Sequence, residues 1–266
     1  MGKCLKLCGI FIALIGMMNV LLYVQKHPEP VSNCEVFEGA ATEEEPYIID
    51  SYDKLRLLRD EVNKGNSFEG QYFLQTINID MLGEEWVPIG IYGTGKYFYG
   101  IYDGGGHYVE NLLISGENAM YPANGGFFGM LGGTVKNFGI ESGSVKGEFV
   151  GSISSHGLDN CLILNCYNKA SVTGISRAGG ICDNLGSGSM VNCVSMGEVT
   201  APISGIISYN ASYIASVYPS VFPESFQGAY YSVVTEGSTA SEMLNNGLNQ
   251  LIDEGMLNRK DVTWWQ

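Results

Sequence analysis

The sequence predicts an all-β chain: a parallel β-solenoid with short helical caps, preceded by an N-terminal transmembrane helix. Three observations carry that expectation. Segments Thr134 to Val145, Leu162 to Val172 and Ser189 to Val199 repeat one another; their asparagines, Asn137, Asn165 and Asn192, are spaced by 28 and 27 residues. Their closing valines, Val145, Val172 and Val199, are spaced by 27 and 27, and a period this constant means stacked units. Finally, each unit holds two runs of 3 to 5 apolar or β-branched residues bounded by Gly, Asn or Ser, too short for helices and suited to strands that end in turns. One such unit cannot bury a face by itself, whereas units stacked in parallel cover one another.

The N-terminal segment obeys different physics. Leu7 to Val24 runs 18 residues without a charge, after Lys3 and Lys6, which meets the lower length of a spanning helix and favours an inside amino terminus. The run lacks a small-residue cleavage site, so residues 1–25 read as an uncleaved signal anchor, with the bulk of the chain extracellular; cleavage would make it secreted. Residues 26–45, with Pro28, Pro30 and Glu43-Glu44-Glu45, read as a stalk linker.

Residues 46–105 form an N-terminal cap and first strands. Pro46 to Ile49 reads as a strand, and Ser51 caps a helix from Tyr52 to Asn63 with Leu55, Leu58 and Val62 on one stripe and Gly65 as its stop. Such a helix can close an open solenoid end, which otherwise exposes strand edges and a bare core. Residues 106–235 carry the repeats, beginning with a weaker copy around Asn111, 26 residues before Asn137. Gly126, Gly180 and Gly205 mark the second run of each copy. Residues 236–266 read as a helical cap, with Met243, Leu244, Leu248, Leu251 and Ile252 in helical spacing, Ser238 or Ser241 as its start, and Trp264-Trp265 buried over the solenoid end.

Composition narrows the function classes. The formal net charge is -14, which argues against nucleic acid as a partner, because that surface demands a basic footprint. The 36 glycines among 266 residues suit a turn-rich fold. HExxH, P-loop, nucleophile-elbow and CxxC patterns are absent from the sequence, so it offers no catalytic residue, metal ligand or cofactor motif.

The order EPYIIDSYDKLRLLRDEVNKGNSFEGQYFLQTINIDMLGEEWVPIG, YFYGIYDGGGHYVENLLI and NGGFFGMLGGTVKNFGI resembles bacterial surface proteins with GLUG-motif repeats. The resemblance spans about Pro46 to Val199 and implies a right-handed β-helix-like solenoid on a cell surface or secreted. Gly125 to Gly129 match the motif core fully, while the later copies are degenerate. The family motif brings no catalytic residues, and it makes Asp103-Gly-Gly-Gly-His107 a strand-joining turn rather than a carboxylate–base pair.

Two repeated features have local readings. The asparagines suit an internal amide ladder, and Cys166 and Cys193, directly after Asn165 and Asn192, should stack as free thiols in adjacent rungs. One feature exceeds the family template: seven aromatics lie between Trp86 and Tyr108. Tyr92, Tyr97, Tyr99 and Lys96, around the loop Tyr92-Gly93-Thr94-Gly95, are the candidate ligand-binding residues, with rings that could stack on sugar faces. The expected role is binding, adhesion or structure, with a glycan or a host or matrix protein as partner. A glycan-active lyase or hydrolase using acids such as Glu141, Glu148, Asp159 and Asp183, and a passive spacer, are the alternatives.

Overall fold

The computed structural model describes residues 37–116, 124–209, 212–218, 231–233, 239–253, 255 and 257–265. The expected membrane anchor at 7–24, most of the linker, Cys4, Cys8, Cys34 and Ser238 lie outside the described residues. Among the described residues no helix is long and apolar enough to cross a membrane.

The fold is a parallel β-solenoid of about 5 turns with few helices. The chain opens with β1 (Tyr47–Ile49), helix α1 (Tyr52–Lys64), β2 (Tyr72–Gln75) and β3 (Ile79–Asp80). Next come β4 (Ile101–Glu110), β5 (Leu112–Ile114), β6 (Asn124–Gly125), β7 (Phe128–Leu131), β8 (Thr134–Ile140), β9 (Gly143–Gly151) and β10 (Ser154–Gly157). The regular coils follow as β11 (Leu162–Leu164), β12 (Tyr167–Asn168), β13 (Ser171–Asn184), β14 (Ser189–Ser195), β15 (Val199–Thr200) and β16 (Ile203–Tyr209). Strands β17 (Ser212–Tyr218) and β18 (Tyr231–Val233) and helix α2 (Ala240–Asp253) complete the chain.

Strands one coil apart pair in parallel and sort into two sheets. The first runs β1-β2-β4-β8-β11-β14-β17-β18, with β3 and β12 beside it; the second runs β5-β9-β13-β10-β7, with β6, β15 and β16 alongside. The sequence period becomes register: Val145 pairs Val172, which pairs Val199. Inward positions stack as Tyr102, Val135, Ile163 and Met190, each fully buried. The core changes character along the axis. Its early coils are filled by rings, with Phe127 4.8 Å from Phe138 and stacked on Trp86 at 5.4 Å, whereas later coils use Cys166, Cys182, Ile181 and Cys193. Tyr102 brings a hydroxyl into the ring cluster and donates it to Gln75 Oε1 at 2.8 Å, so the buried polar atom has its partner.

Helix α1 begins where Ser51 Oγ accepts the Lys54 N–H and stops at Gly65, φ 122. Its Leu55, Leu58 and Val62 are buried in the same core as Ile49 and Trp86, so it covers the first coil. Folded structure starts earlier than the linker reading placed it. Phe37 packs edge-on against Phe73 at 5.2 Å, and Ala41 O accepts the Tyr72 N–H at 3.0 Å.

The asparagines form the amide ladder that the spacing suggests. Asn137, Asn165 and Asn192 all have positive φ, 52, 55 and 49, which turns each one out of its strand. Asn165 Nδ2 donates to Asn137 Oδ1 at 2.8 Å, and Asn192 Nδ2 donates to Asn165 Oδ1 at 3.0 Å. One coil earlier the position is remodelled: Asp103 pairs Lys136 and His107 pairs Phe138, so three glycines stand opposite Asn137 alone. Asp103 Oδ1 reaches across to accept Asn137 Nδ2 at 2.9 Å and ends the ladder.

Helix α2 starts at Thr239, where Thr239 Oγ1 accepts the Glu242 N–H and the Glu242 carboxylate accepts the Thr239 N–H, a reciprocal cap. The helix and the following segment lie along the outer face of the first sheet rather than over a solenoid end. Leu244, Leu248, Leu251, Val262 and Trp265 pack on the outward residues Leu164, Tyr167, Val191 and Val194. This strap also bonds the ladder: Thr263 N–H to Asn137 Oδ1, Asn165 Nδ2 to Thr263 O, Trp265 Nε1 to Asn165 Oδ1 and Asn192 Nδ2 to Leu244 O.

Asn165 has four such partners, two of them on the strap, so its loss should be costly. Asn165→Gly keeps the backbone conformation and should lower unfolding free energy by about 3 kcal/mol, because at least two buried groups lose partners. Asn165→Ala adds left-handed strain and should cost about 1 kcal/mol more. Urea unfolding of both variants separates the amide from the backbone contribution. Burial raises the Cys166 and Cys182 thiols and pushes Cys161 up to about 12. Peptide mapping after thiol labelling should therefore find Cys161, Cys166, Cys182 and Cys193, all free and buried, protected in the native protein and labelled in denaturant.

Candidate ligand-binding surfaces

The aromatic loop is a short hairpin. Ile91 and Lys96 form an isolated antiparallel bridge, and the turn between them uses Gly93 and Gly95 at φ 74 and 73. On either side, Ile89 bridges Phe128 and Phe98 bridges Leu131, which ties the base of the hairpin to β7. Phe98 is fully buried among core rings, as are Trp86 and Tyr102. Alternation then turns Tyr97 and Tyr99 away from the core, Tyr97 half-buried and Tyr99 37% exposed. Tyr99 packs closely against Gly132, where an added Cβ would collide with the ring.

Tyr92 projects furthest, at 48% exposed. Its ring contacts His156 of β10, with centroids 5.2 Å apart. Among the described residues no ring contact joins Tyr92, Tyr97 and Tyr99 to one another. Lys96 is half-buried, and its backbone N–H donates to Thr94 Oγ1. The structure thus substitutes His156 for a cluster of tyrosines. That partner was invisible in the sequence, because it follows from β10 lying between β7 and β13, with His156 opposite Met130 and Asn184.

Beneath the ring pair is a buried polar layer. His156 Nδ1 lies 3.0 Å from Ser155 Oγ, and Ser155 Oγ is 3.1 Å from Phe149 O. Asp183, fully buried, receives two hydrogen bonds from Arg177, Nε to Oδ1 at 2.9 Å and Nη2 to Oδ2 at 2.8 Å. A buried carboxylate without such a fork would be prohibitive. Arg177 also stacks over Phe149 at 4.4 Å. Burial holds the His156 imidazole below its ordinary pKa of 6.5, with Asp183 pulling it up and Arg177 pushing it down less strongly.

The repeat glycines occupy a sharp arch. Gly151 pairs Gly179, which pairs Gly205, and Gly125 opposite Val150 sets Gly126 against Gly151. A Cβ at Gly179 would lie 1.7 Å from Cys182 O, and one at Gly151 2.2 Å from Ser154 O, so only glycine fits. Gly180 falls one place beyond this stack, opposite Ser152, whose hydroxyl donates to Gly180 O at 2.6 Å. Asn111 likewise stands outside the ladder. It has positive φ, but its amide donates to Asp80 and its N–H to Ser142 Oγ, at the corner after the ladder strand.

The acids weighed for catalysis are held separately. Glu141 accepts from Tyr167 and Lys169, Glu148 from Ser176, Asp159 from Ser187, and Asp183 from Arg177. Asp103 and His107 do not pair either: His107 Nδ1 contacts Asn78 Oδ1 at 3.1 Å. Among the described residues no group of three or more His, Cys, Asp or Glu is placed to hold a metal ion.

His107 and His156 both have depressed pKa values caused by burial, so each stabilises the fold fully above about 6.5 and loses that contribution as pH falls toward its folded value. Histidine NMR titration should place both midpoints below 6.5, and His156→Gln should flatten the fall in stability as pH drops below about 6.5.

No family model matches this chain, and no curated protein matches it. Among solved structures it is similar to a Bacteroides ovatus protein named a putative immunoglobulin A1 protease, at 22% identity and TM-score 0.47, over 68% of this chain and 66% of that one.

Proposed function

We propose that this protein is a binding module displayed outside the cell, tethered by the apolar segment at residues 7–24, and that its activity is adhesion to a glycan or to a host or matrix protein. The observation that carries this reading is the exposed Tyr92 ring, held against His156 at the tip of a hairpin with two turn glycines. A ring fixed in this way presents an apolar face at little conformational cost, the arrangement that stacks on the face of a sugar. Tyr99, packed against Gly132, and Lys96 supply a second face and a cation on the same hairpin. The solenoid beneath serves as a rigid mount, and the acidic surface keeps the displayed domain soluble.

A glycan and matrix-protein array probed with the full chain tests the reading. A saturable hit is expected, weakened at least tenfold by Tyr92→Ala combined with Tyr99→Ala, while the melting temperature stays within about 3 °C, since both side chains are solvent-exposed. A hit unmoved by these substitutions, or a silent array from folded protein, would remove the hairpin as the binding site.

A further inference from the structure

A cleft of about 150 Å³ opens on the outer face of the first sheet, where three parts of the chain meet. The strands contribute Tyr72, Asp103 and Lys136, the N-terminal loop contributes Glu43, and the strap contributes Lys260 and Thr263. In a chain with 14 basic residues against 28 acidic ones, two lysines line this one small void, beside the carboxylates of Asp103 and Glu43.

The Asp103 charge is already committed. It accepts the Gly105 N–H at 2.9 Å and the Asn137 amide at 2.9 Å, and it pairs with Lys136 at 3.3 Å. Lys136 is largely buried, with its ammonium 5.9 Å from the centre of the Tyr72 ring, and an ammonium has three donors. Lys260 has no ion pair among the described residues. The groups left uncommitted are therefore the remaining Lys136 donors, the Lys260 side chain and the Glu43 carboxylate, so the cleft offers cationic donors beside one acceptor. Its size sets a second limit. A void of this order holds a single six-membered ring and is smaller than the roughly 300–1,000 Å³ of drug-sized sites.

We infer that this cleft binds a single-ring hydroxylated carboxylate, the chemistry of a sugar acid. The carboxylate lies between Lys136 and Lys260, the ring rests near Tyr72, and ring hydroxyls donate to Glu43 and bond with Thr263. The site shares no residue with the Tyr92 hairpin, so either can fail alone. Lys260 and Thr263 belong to the strap, so occupancy also holds the strap onto the ladder, and Trp264 and Trp265 report it.

Tryptophan fluorescence of the full chain, titrated with D-glucuronate, D-glucose and an oligosaccharide ending in glucuronate, tests the inference. Glucuronate should bind saturably and at least tenfold more tightly than glucose, and its affinity should fall as salt is raised. Lys260→Ala should weaken it at least tenfold and leave the fold intact, because Lys260 is exposed, while Tyr92→Ala should have no effect. Lys136→Gln is the second variant, read together with a melting curve because it also releases Asp103. Tighter binding of the oligosaccharide identifies a glycan end as the source, and equal binding a free acid. Absence of saturable binding, equal response to glucose, or indifference to Lys260→Ala overturns the inference.

Discussion

The amide ladder from Asp103 through Asn137, Asn165 and Asn192 is the constraint on which the rest of the structure depends. Parallel strand pairing alone tolerates slippage, since each rung offers its neighbour the same backbone groups. Asparagine at positive φ removes that freedom. Its amide can bond the next amide only when the coils are in register, and the left-handed kink falls at one place in each turn. The inward stack Val135, Ile163 and Met190 and the valine stack at the next corner inherit their alignment from this row.

Two ends of the ladder are treated differently, and that difference shapes the molecule. At Asp103 the row ends on a carboxylate shared with Lys136, and three glycines let the backbone bulge away. Along Asn137 to Asn192 the outward amides are covered by the strap, whose own backbone would otherwise lack partners there. The cleft lies at the boundary between these two regimes, where committed and uncommitted polar groups meet. The hairpin belongs to a different part of the coil. It is anchored by single bridges to β7 and braced by His156, so its exposed ring is positioned by neighbours one coil away.

Much of this was legible in the sequence because the governing interaction is periodic. The spacing of Asn137, Asn165 and Asn192 and of the three valines translates directly into register, and Ser51 and Gly65 mark the ends of helix α1 where the structure has them. The differences have local causes. Asn111 fits the period within two residues, but the glycines at 104–106 lengthen the coil before it and shift it to another corner. Gly180 falls one place beyond the glycine stack because Gly179, the first of its Gly-Gly pair, is the residue in register with Gly151 and Gly205. The destination of helix α2 could not be read either. Its apolar stripe shows that it covers something, while the outward Leu162, Leu164, Val191 and Val194 that receive it look like ordinary strand residues. The cleft and the His156 contact join residues distant in sequence, and neither leaves a local pattern.

The strap has a consequence for the order of folding. Coils of the solenoid contact their immediate neighbours and can add one after another, but Thr263 binds Asn137 across 126 residues and Trp265 binds Asn165 across 100. Loop closure on that scale is slow, and three rungs must already be stacked before the strap finds its acceptors. During synthesis the coils around Leu164 and Val191 therefore emerge and align with an uncovered apolar face, and the chain passes through a stage in which its outer sheet is open to other chains. Docking of the strap is the event that ends this vulnerable interval.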